Sequence, residues 1–537
     1  MTANKSSESK MPGDDRLLWL IGGTAVFTFL YKLWQRIEPW YLYYHDKLLI
    51  LAIATGGVIL LILLAHLWNY YVEVIDYNKC ITGPSDDSVY LGKDERKKDV
   101  YLKEEFRTLH AQVIGTTSAG KTESVILPWA IRDIERGNGL LIIDGKADTS
   151  FLQKIYSHVL QNERESDFKF FSLAHIGKSF VFNPLSSGSP EEIAERVFSS
   201  FKIENEYYRN VQCQLFKAAL NLLKAGEIPL SMASVERIFL DQVFLENLLS
   251  KTTNNPEIAT INDFSKMPEE KRWELSSGIT SKLGHFSSGD HALIFSGRGP
   301  EINLNDALSE NHICYFQLPT MKYPFLGEAT GRLVLQSFQS SVSDRHLDLD
   351  SSGVKPRFFS CFLDDFQDYI YEGFGALINK ARSANVGVVF SHQSLGDLDK
   401  VSPSFRNVVS TNTNIKVVMR TTDPTTCDHF AKTFGTISAE KKTKRKRRTA
   451  LGDQDTGEKS VREVEEYRYH PNVIKNLPLG AGVVSIPHPK GVKVVKVSFE
   501  KREDLPAKDL PDIKKEPPII NVSEKTSPKK EGVSLAS

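Results

Sequence analysis

Apolar and polar residues alternate along this chain in three different rhythms. Near the N-terminus the apolar runs are almost unbroken. Residues 17–34 and 48–68 are each about as long as a bilayer-spanning helix, with Lys32 placed to snorkel in the first and His66 at the end of the second. Trp34, Trp40, Tyr41, Tyr43, Tyr44, Trp68, Tyr70 and Tyr71 gather at the ends, as interfacial aromatics do. A signal peptide and a buried hairpin are the alternatives. No A-x-A-like cleavage site follows the first segment and a second one comes directly after it, which favours two transmembrane helices.

From residue 110 onward short apolar runs alternate with helical patterns. Strand candidates are 110–114, 139–144, 168–173, 180–182, 312–318, 358–363, 386–391 and 415–420, with one or two closing strands in 480–499. Such alternation predicts an α/β fold, a mostly parallel sheet covered on both faces. Between 190 and 300 the strand pattern almost vanishes. Residues 190–201, 208–225, 231–249 and 268–286 read as amphipathic helices, an all-helical insertion. The expected organisation is a disordered 1–14, a membrane stem over 15–72, a nucleotide-binding domain in two parts (73–189 and 301–500) around a helical domain at 190–300, and a disordered tail at 501–537. That tail mixes Lys, Glu, Pro and Ser with few large apolar residues.

Composition adds little to this picture. The 537 residues suffice for two or three domains, and 67 basic residues balance 67 acidic ones, so any attraction to a polyanion must come from a local patch. The five cysteines form no CxxC pair and the histidines no HExxH, which argues against zinc and against a disulfide framework, and fits a reducing compartment.

The chemistry centres on Gly115, Thr116, Thr117, Ser118, Ala119, Gly120, Lys121 and Thr122, which fit the phosphate-binding pattern G-x-x-x-x-G-K-[ST]. An apolar strand precedes it and a helical pattern over 123–135 follows. That order aims backbone N–H groups and a positive helix end at an anion. Lys121 would reach the β- and γ-phosphates of ATP, and the Thr122 hydroxyl would hold Mg²⁺. A carboxylate on a neighbouring strand end must complete the metal site. Asp364 and Asp365, closing an apolar run, suit it better than Asp144: Asp364 for the Mg²⁺ shell, Asp365 to polarise the attacking water. Gln393 ends the next strand, where an amide can bond both that water and the γ-phosphate. Arg382, between them, would reach a neighbouring subunit's nucleotide. ATP and Mg²⁺ are cytoplasmic, so both ends of the chain are placed inside. Lys441, Lys442, Lys444, Arg445, Lys446, Arg447 and Arg448 make the sharpest charge cluster, expected as a flexible loop. Contact with phosphates, contact with anionic lipid and simple solvation all remain open for it; without interleaved aromatics, base stacking is not indicated.

Together these features resemble the conjugative coupling ATPases of type IV secretion systems, the TraD/TraG group, from the two apolar segments to about residue 500. His110 to Gly115 is similar to the family's strand before the P-loop, Asp144-Gly145-Lys146-Ala147-Asp148 to its second-strand motif, and Phe182-Asn183-Pro184-Leu185 to the stretch before its helical domain. Asp364-Asp365-Phe366, Ala381-Arg382 and Gln393-Ser394 match its Mg²⁺ site, arginine finger and glutamine motif. The resemblance implies a RecA-like P-loop NTPase forming a homo-hexamer on a bacterial inner-membrane stem. It implies that ATP hydrolysis delivers single-stranded DNA, bound to a relaxase, to the secretion channel, with an accessory relaxosome protein at the C-terminal tail. Ser118 stands where the family usually has Gly, Asp365 where Glu is usual, and this tail is charge-balanced where some members carry an acidic one. The Asp365 departure motivates a second reading, a docking receptor that recruits protein effectors and hydrolyses little ATP. A chromosome-segregating septal translocase fits less well, because no long linker follows the spans and the helical insertion is large.

Overall fold

The computed structural model describes residues 14–82, 85–252, 256–449, 452–488 and 491–518, in two compact units, 1–80 and 81–537. The first expected disordered segment and the tail beyond 518 lie outside the described residues.

The first unit is helical. One helix, Asp14–Thr82, runs through both apolar segments and through Pro39. No turn separates the two segments, although residues 35–47 include the turn formers Pro39 and Asp46. Among the described residues one stretch, Leu49–Tyr71, is long and apolar enough to cross a membrane, with 23 residues and a mean hydropathy of 2.5. At about 1.5 Å per residue it would span roughly 35 Å, enough for a hydrocarbon core of about 30 Å. The side chains of residues 17–23 in the first segment lie outside the described residues.

The second unit is built on an 11-stranded sheet. Its strands are β1 (Ser88–Asp94), β2 (Asp99–Lys103), β3 (Ala111–Ile114), β4 (Gly139–Asp144), β5 (Phe168–Ser172), β6 (Ile313–Gln317), β7 (Phe359–Asp364), β8 (Val386–His392) and β9 (Ile415–Met419), then β12 (Ala481–His488) and β13 (Gly491–Phe499). A separate pair, β10 (Thr436–Thr449) and β11 (Gly452–Tyr467), stands apart from it. The order across the sheet is β2-β1-β13-β12-β9-β3-β8-β7-β4-β6-β5. From β9 to β5 the pairings are parallel, and β12, β13, β1 and β2 extend the edge antiparallel. The β1–β2 hairpin was not among the expected strands, although Val89 and Leu91, then Val100 and Leu102, alternate along it and enter the core.

Alternation along each central strand divides the core. Leu140 and Ile142 of β4 face one apolar cluster with Trp129, Ile131 and Phe151; Leu141 and Ile143 face the other, with Phe171, Phe182 and Phe316. The helices between Pro190 and Phe295 include Glu206–Ala225 and Glu269–Ser287. They share this second cluster, through Phe198, Phe216, Phe286 and Phe295, so the insertion grows from the face of the sheet without a separate core. The chain leaves and re-enters the sheet at one point, where Val181 bridges Glu301.

Residues 501–518, expected as disordered tail, instead lie extended across the second unit. Ser157 Oγ donates to Pro506 O, Ile513 N to Gly177 O, and Arg298 and Glu516 exchange backbone hydrogen bonds. Leu510 packs on the first cluster. Low hydrophobicity hid this because most of the contacts are polar: backbone hydrogen bonds together with the ion pairs Lys154–Asp504, Arg502–Glu135 and Arg298–Glu516.

One ion pair is fully enclosed. Arg107 makes two bonds to Asp133, at 2.7 and 2.6 Å, and a third to Ser360 Oγ at 2.9 Å, with its guanidinium over Trp129 and Phe358. Removing one partner strands a buried charge. Asp133→Ala is therefore expected to destabilise the protein by about 3–5 kcal/mol, read as a fall in the denaturation midpoint; a loss below about 1 kcal/mol, the worth of an exposed pair, would refute the enclosure.

Candidate functional site

The site is assembled at the C-terminal ends of β3, β8 and β7, three adjacent parallel strands. β3 runs straight into the glycine loop. Gly115 is forced by close approach: a Cβ there would lie 3.0 Å from the Ala119 Cβ and 3.1 Å from that of Met419. The loop then turns through two left-handed residues, Ser118 at φ 64° and Gly120 at φ 97°. Gly120 adopts this freely, whereas Ser118 is strained there. Thr116 is tied to β9 by its N–H, 2.9 Å from Arg420 O. Thr122 opens the following helix, whose first turn, Thr122–Ile126, is wide and passes into Leu127–Glu135.

Lys121 is buried and donates to Gly115 O at 2.8 Å and, more weakly, to Thr116 O at 3.4 Å. Burial holds its pKa below the usual lysine range, against the pull of Asp365 and Asp364. Thr122 Oγ1 donates to Asp364 Oδ2 at 2.6 Å, and Ser391 Oγ to Asp364 Oδ1 at 2.6 Å. Burial and the adjacent Asp365 raise the Asp364 pKa, and the two hydroxyls work against that rise. A hydroxyl and a carboxylate held together at the edge of an N–H-lined loop are hard oxygen donors suited to Mg²⁺. That ion takes few protein ligands and completes its shell with phosphate and water. Among the described residues no cluster of three or more His, Cys, Asp or Glu offers a rival metal site. The residues fit Mg²⁺ with a nucleoside triphosphate.

Asp144 lies opposite Asp364 in register, yet its carboxylate is consumed by its own loop. It accepts from the N–H groups of Lys146, Ala147 and Asp148 and from the Tyr315 hydroxyl. Burial, then Asp364, pushes its pKa up to about 6. Asp365 is half-buried in a left-handed conformation, φ 48°, with its N–H turned to Asp364 Oδ1 and Ser391 Oγ. Gln393 is exposed at the end of β8, between the P-loop strand and the Asp364 strand. The structure thus brings Gly115–Thr122, Asp364, Asp365 and Gln393 to one edge. Arg382 is elsewhere. It is exposed in the turn before β8, one strand length (roughly 20 Å) from Gln393, and cannot serve its own chain's site.

Four polar residues around the site were given no role by the sequence. Ser391 has no motif of its own and matters only because β8 adjoins β7. Beneath the loop, Lys416 of β9 donates to Gln112 Oε1 at 3.0 Å, and Gln112 Nε2 lies 3.0 Å from His392 Nε2. The His392 Nδ1 lies 2.7 Å from Ser394 O. These bonds make one polar chain across β9, β3 and β8, ending at the carbonyl of Ser394, the residue after Gln393. Burial keeps His392 neutral, with its pKa near 4, and pulls Lys416 from 10.5 to about 7. Polar residues inside apolar strands were the available signal.

This geometry has counterparts among known proteins. A family model described as the TraM recognition site of TraD and TraG matches residues 359–478, which hold Asp364, Asp365, Arg382 and Gln393. The type 4 coupling protein DotL of Legionella pneumophila is 23% identical, over 67% of this chain and 54% of that protein. The chain thus spans about half the length of this curated relative. Plasmid coupling protein TrwB, solved with the ATP analogue ADPNP, superposes with a TM-score of 0.56 at 15% identity, covering 79% of this chain and 91% of that one. TrwB solved with ADP and Mg²⁺ gives 0.55 at 15% identity, covering 76% and 88%. This is a relative of the type IV coupling proteins. Its second unit has their RecA-like α/β fold with a mostly parallel sheet.

Two expected outcomes test the site as built. Ser118→Gly relieves a left-handed side chain and should raise stability by about 0.5–1 kcal/mol without weakening ATP binding, measured by thermal unfolding and nucleotide titration. Lys416 is a base with a depressed folded pKa. Between about pH 7 and 10.5 the unfolded chain binds more protons, so stability should rise with pH across that window. Lys416→Met should flatten this rise; an unchanged pH slope would show that Lys416 is charged in the folded protein.

Proposed function

We propose that this chain is an inner-membrane ATPase of a conjugative or type IV secretion system, using ATP hydrolysis to deliver relaxase-bound single-stranded DNA to the secretion channel. The observation that carries the reading is the Thr122–Asp364 contact at a glycine loop, in a fold matching the conjugative coupling proteins. In it, Gly115 to Thr122 hold the phosphates, Lys121 neutralises the transferring γ-phosphoryl, and Thr122 and Asp364 hold Mg²⁺, which supplies charge stabilisation to the phosphates. Asp365 polarises the attacking water and Gln393 positions it. Arg382, a strand length from its own site, acts on a neighbour's nucleotide, which requires a ring such as a homo-hexamer. Leu49–Tyr71 anchors the chain, a second pass by the apolar 17–34 requires the long helix to break between the two segments, at Pro39, when it sits in a membrane, and the nucleotide-binding unit faces the cytoplasm, where ATP and Mg²⁺ are found. Channel components, the relaxase and an accessory relaxosome protein at the C-terminal tail are its partners; the matched family model, described as a TraM recognition site, supports the last.

A second reading, a docking receptor for protein effectors with little motor activity, draws on the short side chain of Asp365, where Glu is usual in the family, and on its left-handed backbone, whose N–H points to Asp364 Oδ1. Hydrolysis by the full chain in detergent, with no DNA, single-stranded DNA or duplex, separates the two. The motor reading expects DNA-stimulated turnover that Lys121→Ala abolishes, and a mixture of Lys121→Ala with Arg382→Ala chains that regains part of it. An assembled protein that binds ATP without DNA stimulation would favour the receptor; a silent mixture would remove Arg382 from the site.

A further inference from the structure

The basic run at 441–448 is not the flexible loop its composition suggests. It is one strand of an antiparallel ribbon, β10 against β11, inserted between the helices Pro424–Thr433 and Pro471–Lys475. Its foot is anchored: Arg468 N donates to Gly435 O at 2.9 Å, and Tyr467 packs on the cluster of Phe430, Phe434 and Ile474. Beyond the foot it pairs with no other strand among the described residues. With 14 residues in β10 it reaches roughly 45 Å at about 3.3 Å each, beyond the usual strand length.

Residues 441–462 hold nine basic and three acidic side chains, within a chain whose net charge is zero. The register sets like charges directly opposite one another at Lys441 against Arg462 and Lys444 against Lys459, while Lys446 and Arg448 face Asp455 and Asp453 nearer the tip. Like-charged pairs destabilise a ribbon unless a counter-charge lies beside them. Large apolar residues there are limited to Leu451 and Val461, so burial does not hold the strands together. The like-charged pairs fall on both faces, because 441 and 444 differ by an odd step. A flat membrane meets only one face, and the ribbon offers no aromatic wedge for headgroups. A polynucleotide backbone brings phosphates along its whole length.

We infer that the β10–β11 ribbon is an arm that grips the phosphate backbone of single-stranded DNA, independently of sequence. This rests on the motor reading given above. The test uses the full chain in nanodiscs of neutral lipid, a labelled mixed-sequence single-stranded oligonucleotide, and a salt series. Replacing Lys441, Lys442, Lys444, Arg445, Lys446, Arg447 and Arg448 by Gln is expected to weaken binding tenfold or more at low salt. The log–log salt slope should become shallower by about 0.7 for each phosphate no longer neutralised. Hydrolysis without DNA should persist, which reports a folded nucleotide site. Replacing Lys441, Lys442, Lys444 and Lys446 by Arg should preserve binding. An unchanged affinity and slope in the Gln variant would overturn the assignment. So would unchanged DNA binding with abolished binding to phosphatidylserine vesicles, which would give the arm to lipid. A wild-type chain that binds no single-stranded DNA fails the motor reading itself.

Discussion

Asp364 is a buried carboxylate held by two hydroxyls, Thr122 from the P-loop helix and Ser391 from β8, and the centre of the sheet is ordered to keep it there. Both bonds require β3, β8 and β7 to be neighbours and to end at the same edge, which only parallel pairing provides. Burial, with Asp365 beside it, raises the pKa of this acid, and the two hydroxyls and Lys121 oppose the rise.

The same parallel order also keeps some residues apart. Residues at strand ends converge, and residues at strand starts are carried to the far side. Gln393 and Arg382 flank the same strand, β8, so its length separates them. Arg382 therefore lies at the edge opposite the glycine loop and the strand-end acids of its own chain. The polar chain from Lys416 through Gln112 to His392 crosses the strands where they are driest, and each member satisfies the next. It fixes the peptide beside Gln393 from below, and a fully connected buried network of this kind is rigid.

Much of this was legible in the residues themselves. The glycine loop carries its own steric logic at Gly115 and Gly120. The apolar runs gave each parallel strand to within a residue or two, and the strand-end acids singled out Asp364 over Asp144. Where local patterning is short or polar, reading failed. The β1–β2 hairpin carries a brief alternation, Val89 with Leu91 and Val100 with Leu102, interrupted by the charged run between its strands; the β10–β11 ribbon is polar and looks like a loop, and backbone pairing makes it a pair of strands. The strap at 501–518 was missed for the same reason. The turn between the two apolar segments was expected from their spacing, yet the residues between them continue a helix.

The sequence by itself determined the chemistry on offer: a phosphate loop, paired acids, an amide, an arginine and a block of basic residues, because each follows from residue type and spacing. Only the tertiary structure decided how they are shared out. Strand order put Ser391 on Asp364 and spent Asp144 on its own loop; strand direction carried Arg382 away; register set lysine against lysine in the ribbon. These are relations between segments far apart in the chain, and no local pattern encodes which strand lies beside which.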